Sequence, residues 1–250
     1  MAFPVVLQGP DTEHRNDYAA TDQRWQLGQK LVTTDGRAYR FSLVGASTLV
    51  VGNVLDGPAL ITNHLATAAV ARAAGATDIA ATLGATASAK NQYRGGFASI
   101  VLTPGGGETY ILQQGLNITT HEAVASAGVI TATLAPGETI VTALTTTSDV
   151  TWVLNPYAGV IQSPITTLTS QPAGIAVKAS TTGRFGWIQT RGVATVLVEG
   201  TAVVGNRAIR LPAAAATAGP EAETSGVGAY IGNVLSVGST WTILDLMLDG

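Results

Sequence analysis

Cysteine is absent from this chain of 250 residues, and charged residues are scarce. Without a thiol there is no disulfide, no thiolate zinc site and no cysteine nucleophile. Charged side chains make up 12% of the residues, about half the usual share. Disorder does not follow, because 46% of the residues are hydrophobic. The scarcity favours a surface that is largely covered in the working state; the alternative is an ordinary monomer with a surface rich in Thr and Ser.

A basic field and a long apolar run are missing as well. The net charge is −3 and the pI is about 5.5, so nucleic acid is not an expected partner. No apolar run approaches the roughly 18 residues that span a bilayer, so no membrane partner is expected. Residues 1–10 lack the basic and long apolar regions of a signal peptide, which indicates synthesis in a cytoplasm.

The residues that are abundant favour strands and tight turns. Ala, Val and Thr predominate, and Gly numbers 29. This composition predicts an all-β fold, a β-barrel or β-sandwich of short antiparallel strands. Asp35-Gly36 is a strong hairpin signal, and residues 104–107 and 135–138 are two further predicted turns. The strands predicted from the residue patterns include 48–54, 139–144, 185–190, 194–199 and 241–248. The Ala-rich residues 60–74, which end at Gly75, predict one short helix.

Charge divides the chain into three predicted parts. Residues 1–29 are rich in charge and lack a sustained apolar period, which indicates an extended N-terminal arm. No Lys or Arg occurs between Arg94 and Lys178, so that stretch has a formal charge of −4. The shift in composition predicts an inserted β sub-domain at 77–156, within a main β domain made of 30–76 and 157–250.

The arm supplies the candidate binding residues. Tyr18, Arg24 and Trp25 are the side chains predicted to dock on a partner, because an aromatic group among polar neighbours often anchors an interface. The alternative is an N-terminal strand tied to its own domain. Loss of residues 1–29 should leave a folded protein if the arm interpretation holds.

The search for chemistry predicts neither an enzyme nor a cofactor or metal site. The three histidines are far apart, and His121-Glu122 is interpreted as a solvated loop. Residues 178–210 have a net charge of +4, which fits a strand with aromatic residues inward and arginines outward, a basic patch, or a surface for an acidic neighbour. On that strand Trp187 is predicted to lie in the core, with its indole N–H bonded to a backbone carbonyl.

Several strand and turn patterns resemble a viral group. They are TGRFGWIQTRG with VLVEG (182–192 and 196–200), DGRAYRF (35–41), LVVGNVL (49–55) and VGAYIGNVL (227–235). Together they resemble structural proteins of tailed-phage head gene clusters, and capsid decoration (cement) proteins among them. The resemblance spans most of the chain, but its motifs are β-turn patterns and supply no catalytic residue.

The resemblance implies a virion protein made in the host cytoplasm and placed on the capsid exterior. Its expected partners are the major capsid protein and other copies of itself, as a homotrimer. Two alternatives stay open: another virion part, such as a tail or head-fibre component, and a carbohydrate-binding β module.

Overall fold

The computed structural model describes residues 6–10, 12–102, 112–164, 170–197, 201–210, 221–222 and 229–249. The chain forms two compact units. The main unit combines Met1–Ala59 with Pro156–Gly250, and the inserted unit is Leu60–Asn155. The described residues contain strands and two 3₁₀ turns, so the predicted all-β class is confirmed.

The main unit contains twelve described strands in one sheet. They are β1 (Val6–Gln8), β2 (Asp17–Tyr18), β3 (Lys30–Val32), β4 (Ala38–Val44), β5 (Val54–Asp56), β12 (Ala158–Gln162), β13 (Pro172–Ala176), β14 (Phe185–Leu197), β15 (Arg207–Arg210), β16 (Glu221–Ala222), β17 (Ala229–Val237) and β18 (Trp241–Met247). The inserted unit contains β6 (Thr67–Ala68), β7 (Asp78–Thr82), β8 (Phe97–Val101), β9 (Leu112–His121), β10 (Val129–Leu134) and β11 (Asp149–Val153).

Five strands of the main unit close into a ring. The hydrogen-bonded order is β4-β12-β5-β13-β14, and β14 also pairs with β4. Every strand of the ring contributes to one core cluster, through Val44, Leu55, Val160, Ala173, Ala176 and Ile188. A β-barrel is therefore present at this end of the main unit, as the composition indicates.

The strand β14 continues beyond the ring into the rest of the same sheet. Its first half pairs with β4, and its second half pairs with β18, which leads on to β17, β15 and β16. The sequence patterns predicted two strands, 185–190 and 194–199. The structure has one strand of 13 residues. Gly192 lies within it at φ 83°, in the left-handed region that glycine adopts readily, so the strand bends there without ending.

The inserted unit is a separate closed barrel. Its strand order is β6-β11-β8-β9-β10-β7, all antiparallel. A bridge between Ala69 and Ala81, with the amide of Val70 bonded to the carbonyl of Ala80 at 2.9 Å, joins β7 to the end of β6. One apolar side chain from each of five strands fills the interior, namely Ile79, Ile100, Ile118, Ile130 and Trp152.

The chain enters and leaves this barrel through a hairpin of the main unit. The strands β5 and β12 pair antiparallel, with Ile161 opposite Asp56. Gly57 lies so close to Pro156 that a Cβ at position 57 would meet the Pro156 carbonyl oxygen at 2.9 Å. The two ends of the insertion are therefore adjacent, which is where proteins tolerate an inserted domain. The structure includes residues 60–76 in the inserted unit, whereas the sequence analysis assigned them to the main domain.

The predicted helix at 60–74 is wrong. Only Thr62–His64 form a 3₁₀ turn, and Thr67–Ala68 are the strand β6. Thr67 and Ala69 are buried while Ala68 is exposed, which is the alternation of a strand. Pairing with β11 and β7 therefore overrides the helix propensity of alanine.

Two strand boundaries also differ from the sequence patterns. Residues 139–144 form no strand and make one bridge, from Leu144 to Arg72. The strand predicted at 48–54 begins only at Val54, after a turn with Gly52 at φ 83°. The turn predicted at 104–107 lies outside the described residues.

Candidate interaction surface

The described part of the N-terminal segment packs on its own unit, which is the second of the two alternatives. The strand β1 pairs parallel with β3, and β2 pairs with the start of β14. Tyr18 is buried in an aromatic cluster with Leu31, Tyr39, Phe41, Phe185 and Trp187. Its hydroxyl donates to Glu13 Oε1 at 2.6 Å, and burial, together with that carboxylate, raises the pKa of Tyr18.

The other two candidates on this segment lie over the same cluster. Trp25 is half-buried against it. The Arg24 guanidinium lies 4.8 Å above the ring centre of Tyr18 and pairs with Asp22 at 3.1 Å. The Arg24 side chain is 58% exposed, so of the three candidates it is the one that solvent reaches freely.

Trp187 lies in the core, as its position on the strand predicts, but its polar contact differs. It is 3% exposed and packs edge-on against Phe41, at 5.1 Å between ring centres. Its indole N–H donates to Glu13 Oε1 at 3.3 Å, so the predicted backbone carbonyl is wrong. Glu13 thus joins the N-terminal segment to β14. Asp17 reinforces the junction by accepting from Arg184 Nε at 2.6 Å.

The cations of residues 178–210 do not form one patch. Arg184 pairs with Asp17, and Arg207 stacks on Tyr230 at 4.5 Å. Arg210 is fully buried, and its Nε donates to Ser163 Oγ at 2.6 Å. Burial raises the pKa of the neighbouring Asp56, against the opposing effects of Ser163 and the Arg210 charge. Lys178, Arg191 and Arg207 are exposed, and of these Arg191 and Arg207 lie on strands, β14 and β15.

The histidines of the inserted unit belong to one buried hydrogen-bond network. His64 Nε2 lies 2.8 Å from the carbonyl oxygen of Thr86, and its Nδ1 contacts the hydroxyl of Tyr93. Because a carbonyl only accepts, Nε2 carries the proton and Tyr93 donates to Nδ1. His121 Nδ1 donates to the Glu122 carbonyl at 2.9 Å, and its Nε2 accepts from the Tyr93 amide at 3.0 Å.

The network satisfies every ring nitrogen and leaves none for a ligand. Burial lowers the pKa of His121, against the opposing effect of Glu122, and burial raises the pKa of Tyr93. The interpretation of His121 as part of a solvated loop is wrong, because it is 3% exposed at the end of β9. Across the described ranges no group of His, Asp and Glu side chains is arranged to hold a metal ion.

An apolar surface that the sequence analysis missed lies on the part of the main unit's sheet that β14 and β18 form beyond the ring. We call it the outer face, and its side chains come from β14 and β18: Arg191, Val193, Trp241, Ile243, Asp245 and Met247. Val193 is 55% exposed, Met247 52% and Trp241 42%. The opposite side of the same strands is core, through Ala194, Val196, Leu244 and Leu246.

The signal for the outer face is present in β18. Along Trp241–Met247 both alternating sets are mainly apolar: Leu244 and Leu246 point inward beside Thr242, while Trp241, Ile243 and Met247 point outward beside Asp245. A strand with one solvated face normally alternates apolar with polar residues, whereas an apolar run indicates burial on both faces. The strand was predicted, but this second apolar set was not interpreted.

Comparison of the chain with protein-family models, with curated proteins and with solved structures yields no match. In the part of the chain that the structure describes, no helix has the length and apolar character needed to cross a membrane.

Proposed function

We propose that this chain is a virion structural protein, a capsid decoration protein that binds the outer capsid surface and stabilises the shell. The observation that carries the proposal is the outer face. Aromatic residues, Met and Arg are the types enriched in protein interfaces, and they meet here on one exposed sheet surface. Exposed apolar patches of this kind mark contact surfaces, which supports a working state in which this face is covered by a partner.

The charge content and the resemblance of the strand patterns support the same proposal. A chain with 12% charged residues has little to keep it soluble alone and much to place in contacts. A ligand that binds only the assembled lattice stabilises that lattice by mass action. The proposed partners are therefore the major capsid protein and further copies of this chain.

Mass spectrometry of purified particles from cells that express the gene tests the proposal. A decoration protein is expected in a fixed, high ratio to the major capsid protein, and removing it should lower the temperature at which particles release DNA. A few copies per particle would instead indicate a tail or head-fibre component. Absence from particles would contradict a virion role and would favour the carbohydrate-binding alternative, for which Trp241 and Phe97 are exposed rings.

A further inference from the structure

The outer face carries charges of both signs in a regular arrangement. Arg191 lies opposite Met247 across the β14–β18 ladder, and Val193 lies opposite Asp245. The four side chains therefore occupy the corners of a quadrilateral on one face, with Arg191 and Asp245 on one diagonal and Val193 and Met247 on the other. Diagonal neighbours in a sheet are about 7–8 Å apart.

Neither charge of this quadrilateral is paired within the part of the chain that the structure describes. Among the described residues no salt bridge reaches Asp245 or Arg191, although other acidic side chains of the main unit are paired, such as Asp17 and Asp249. Asp245 is half-buried, with Ile243 and Met247 two positions away along its own face. Its opposite neighbour on β17 is the uncharged Asn233. The cation that the β14–β18 ladder offers to Asp245 is Arg191, on the other corner of the same diagonal.

We infer that the outer face binds a second copy of the same face, related by a two-fold axis. An axis lying along the Val193–Met247 diagonal exchanges the two ends of the other diagonal. Asp245 of each copy then meets Arg191 of the other, so one contact forms two ion pairs. This self-complementarity is what an isologous interface requires, in which residue i meets j and j meets i.

The same axis fixes which residues meet their own copies. Val193 faces the second copy's Val193, Met247 faces the second copy's Met247, and Trp241 lies further along β18 as an anchor of the type that dominates binding energy.

The expected assembly in solution is a dimer. The trimer expected from the resemblance rested on no observed contact. The inference deepens the proposed function by naming the self-contact, but its test needs no particle.

Sedimentation equilibrium of the purified chain and its charge variants tests the pairing. Asp245→Arg and Arg191→Asp should each raise the dimer Kd about tenfold or more, because each sets like charges opposite each other twice. The double variant should restore dimerisation. A monomer at tens of micromolar, a closed trimer, or a double variant as weak as the single ones would overturn the inference.

Cross-linking tests the axis itself, and the absence of native cysteine makes single-cysteine variants clean. Met247→Cys and Val193→Cys should each be cross-linked between copies by a short bis-maleimide, since stacked sheets lie about 10 Å apart, beyond the roughly 7 Å between Cα atoms that a direct disulfide allows. Val141→Cys is the matched control, because Val141 is 74% exposed in the inserted unit. Equal cross-linking at all three positions would contradict the axis. Loss of capsid binding on Val193→Glu in a chain that is monomeric throughout would assign the face to the capsid instead.

Discussion

The two units of this chain bury polar groups in different ways. The inserted unit buries neutral groups, with two imidazoles arranged around the backbone and hydroxyl of Tyr93. The main unit places charges at its junctions. Asp249 accepts from Lys30 and Arg40, and Asp17 accepts from Arg184. Buried His121 in the inserted unit and ion-paired Asp249 in the main unit should therefore respond to acid over different pH ranges.

The largest expected effect is a loss of stability in the main unit alone when the N-terminal segment that packs on it is deleted. Deleting residues 1–29 should destabilise the main unit by about 4 kcal/mol or more, because it removes Tyr18, Trp25 and Glu13 from the aromatic cluster. Amide hydrogen exchange should show lost protection in β4 and β14 and unchanged protection in β8 to β11. A truncated chain as stable as the parent would restore the interpretation of residues 1–29 as a detachable arm.

Matched tryptophan substitutions compare the two cores. Trp152→Ala should cost the inserted unit about 3–5 kcal/mol, and Trp187→Ala should cost the main unit about the same. Trp152 is 1% exposed, and its indole N–H donates to Thr67 Oγ1 at 3.1 Å. Hydrogen exchange of each unit is the measurement. A Trp187→Ala chain with unchanged stability would indicate a ligand-stacking role for this residue.

The sequence predicts those parts of the fold that follow from local patterns, and it fails where a strand forms only because distant strands pair with it. The Asp35-Gly36 hairpin and the inward side of β14 follow from turn chemistry and alternation, and both are present. The strand β6 does not follow, because alanine at 66, 68 and 69 favours a helix until β7 and β11 are available as partners.

The candidate site was harder to predict than the fold. Tyr18 and Trp25 stood out because they are aromatic residues among polar ones, yet their partners come from β4 and β14, far along the chain. The outer face depends on register across β14 and β18, since Arg191 and Asp245 become diagonal neighbours only in the paired strands. Long-range register of this kind is not contained in any local pattern.

Removal of the Tyr93 hydroxyl tests the buried hydrogen-bond network of His64, Tyr93 and His121. Tyr93→Phe should cost the inserted unit about 1–3 kcal/mol, because it leaves the buried Nδ1 of His64 without its donor. Tyr230→Phe is the matched control in the main unit, where the hydroxyl bonds Asn233 in a half-buried position. A cost for Tyr93→Phe no larger than for the control would show that the network contributes nothing.

The smallest expected effect is that mild acid lowers the stability of the inserted unit and leaves that of the main unit nearly unchanged. The pKa of His121 is lowered from 6.5 by burial, so its contribution to stability is present above about pH 6.5 and is lost as the pH falls. Burial raises the pKa of Asp249, but the hydrogen bonds and charges of Arg40 and Lys30 lower it by more. The net pKa of Asp249 therefore lies below its ordinary value of 3.8. Its contribution therefore persists down to about pH 4 and is lost only below that.

The expected result between pH 7 and pH 5 is weaker protection of the inserted unit with little change in the main unit. His121→Gln should make the pH dependence of the inserted unit shallower. Equal weakening of both units over this range would show that the buried imidazole is not its source.

Excision tests most directly the central claim that two self-sufficient barrels share one chain. Residues 60–155 should fold alone with a single cooperative thermal transition. The main unit should fold when a short Gly-Ser linker joins residue 59 to residue 156, because the ends of the insertion lie together at Gly57 and Pro156. Dispersed amide spectra from both pieces are the predicted result. An unfolded piece on either side would contradict the claim.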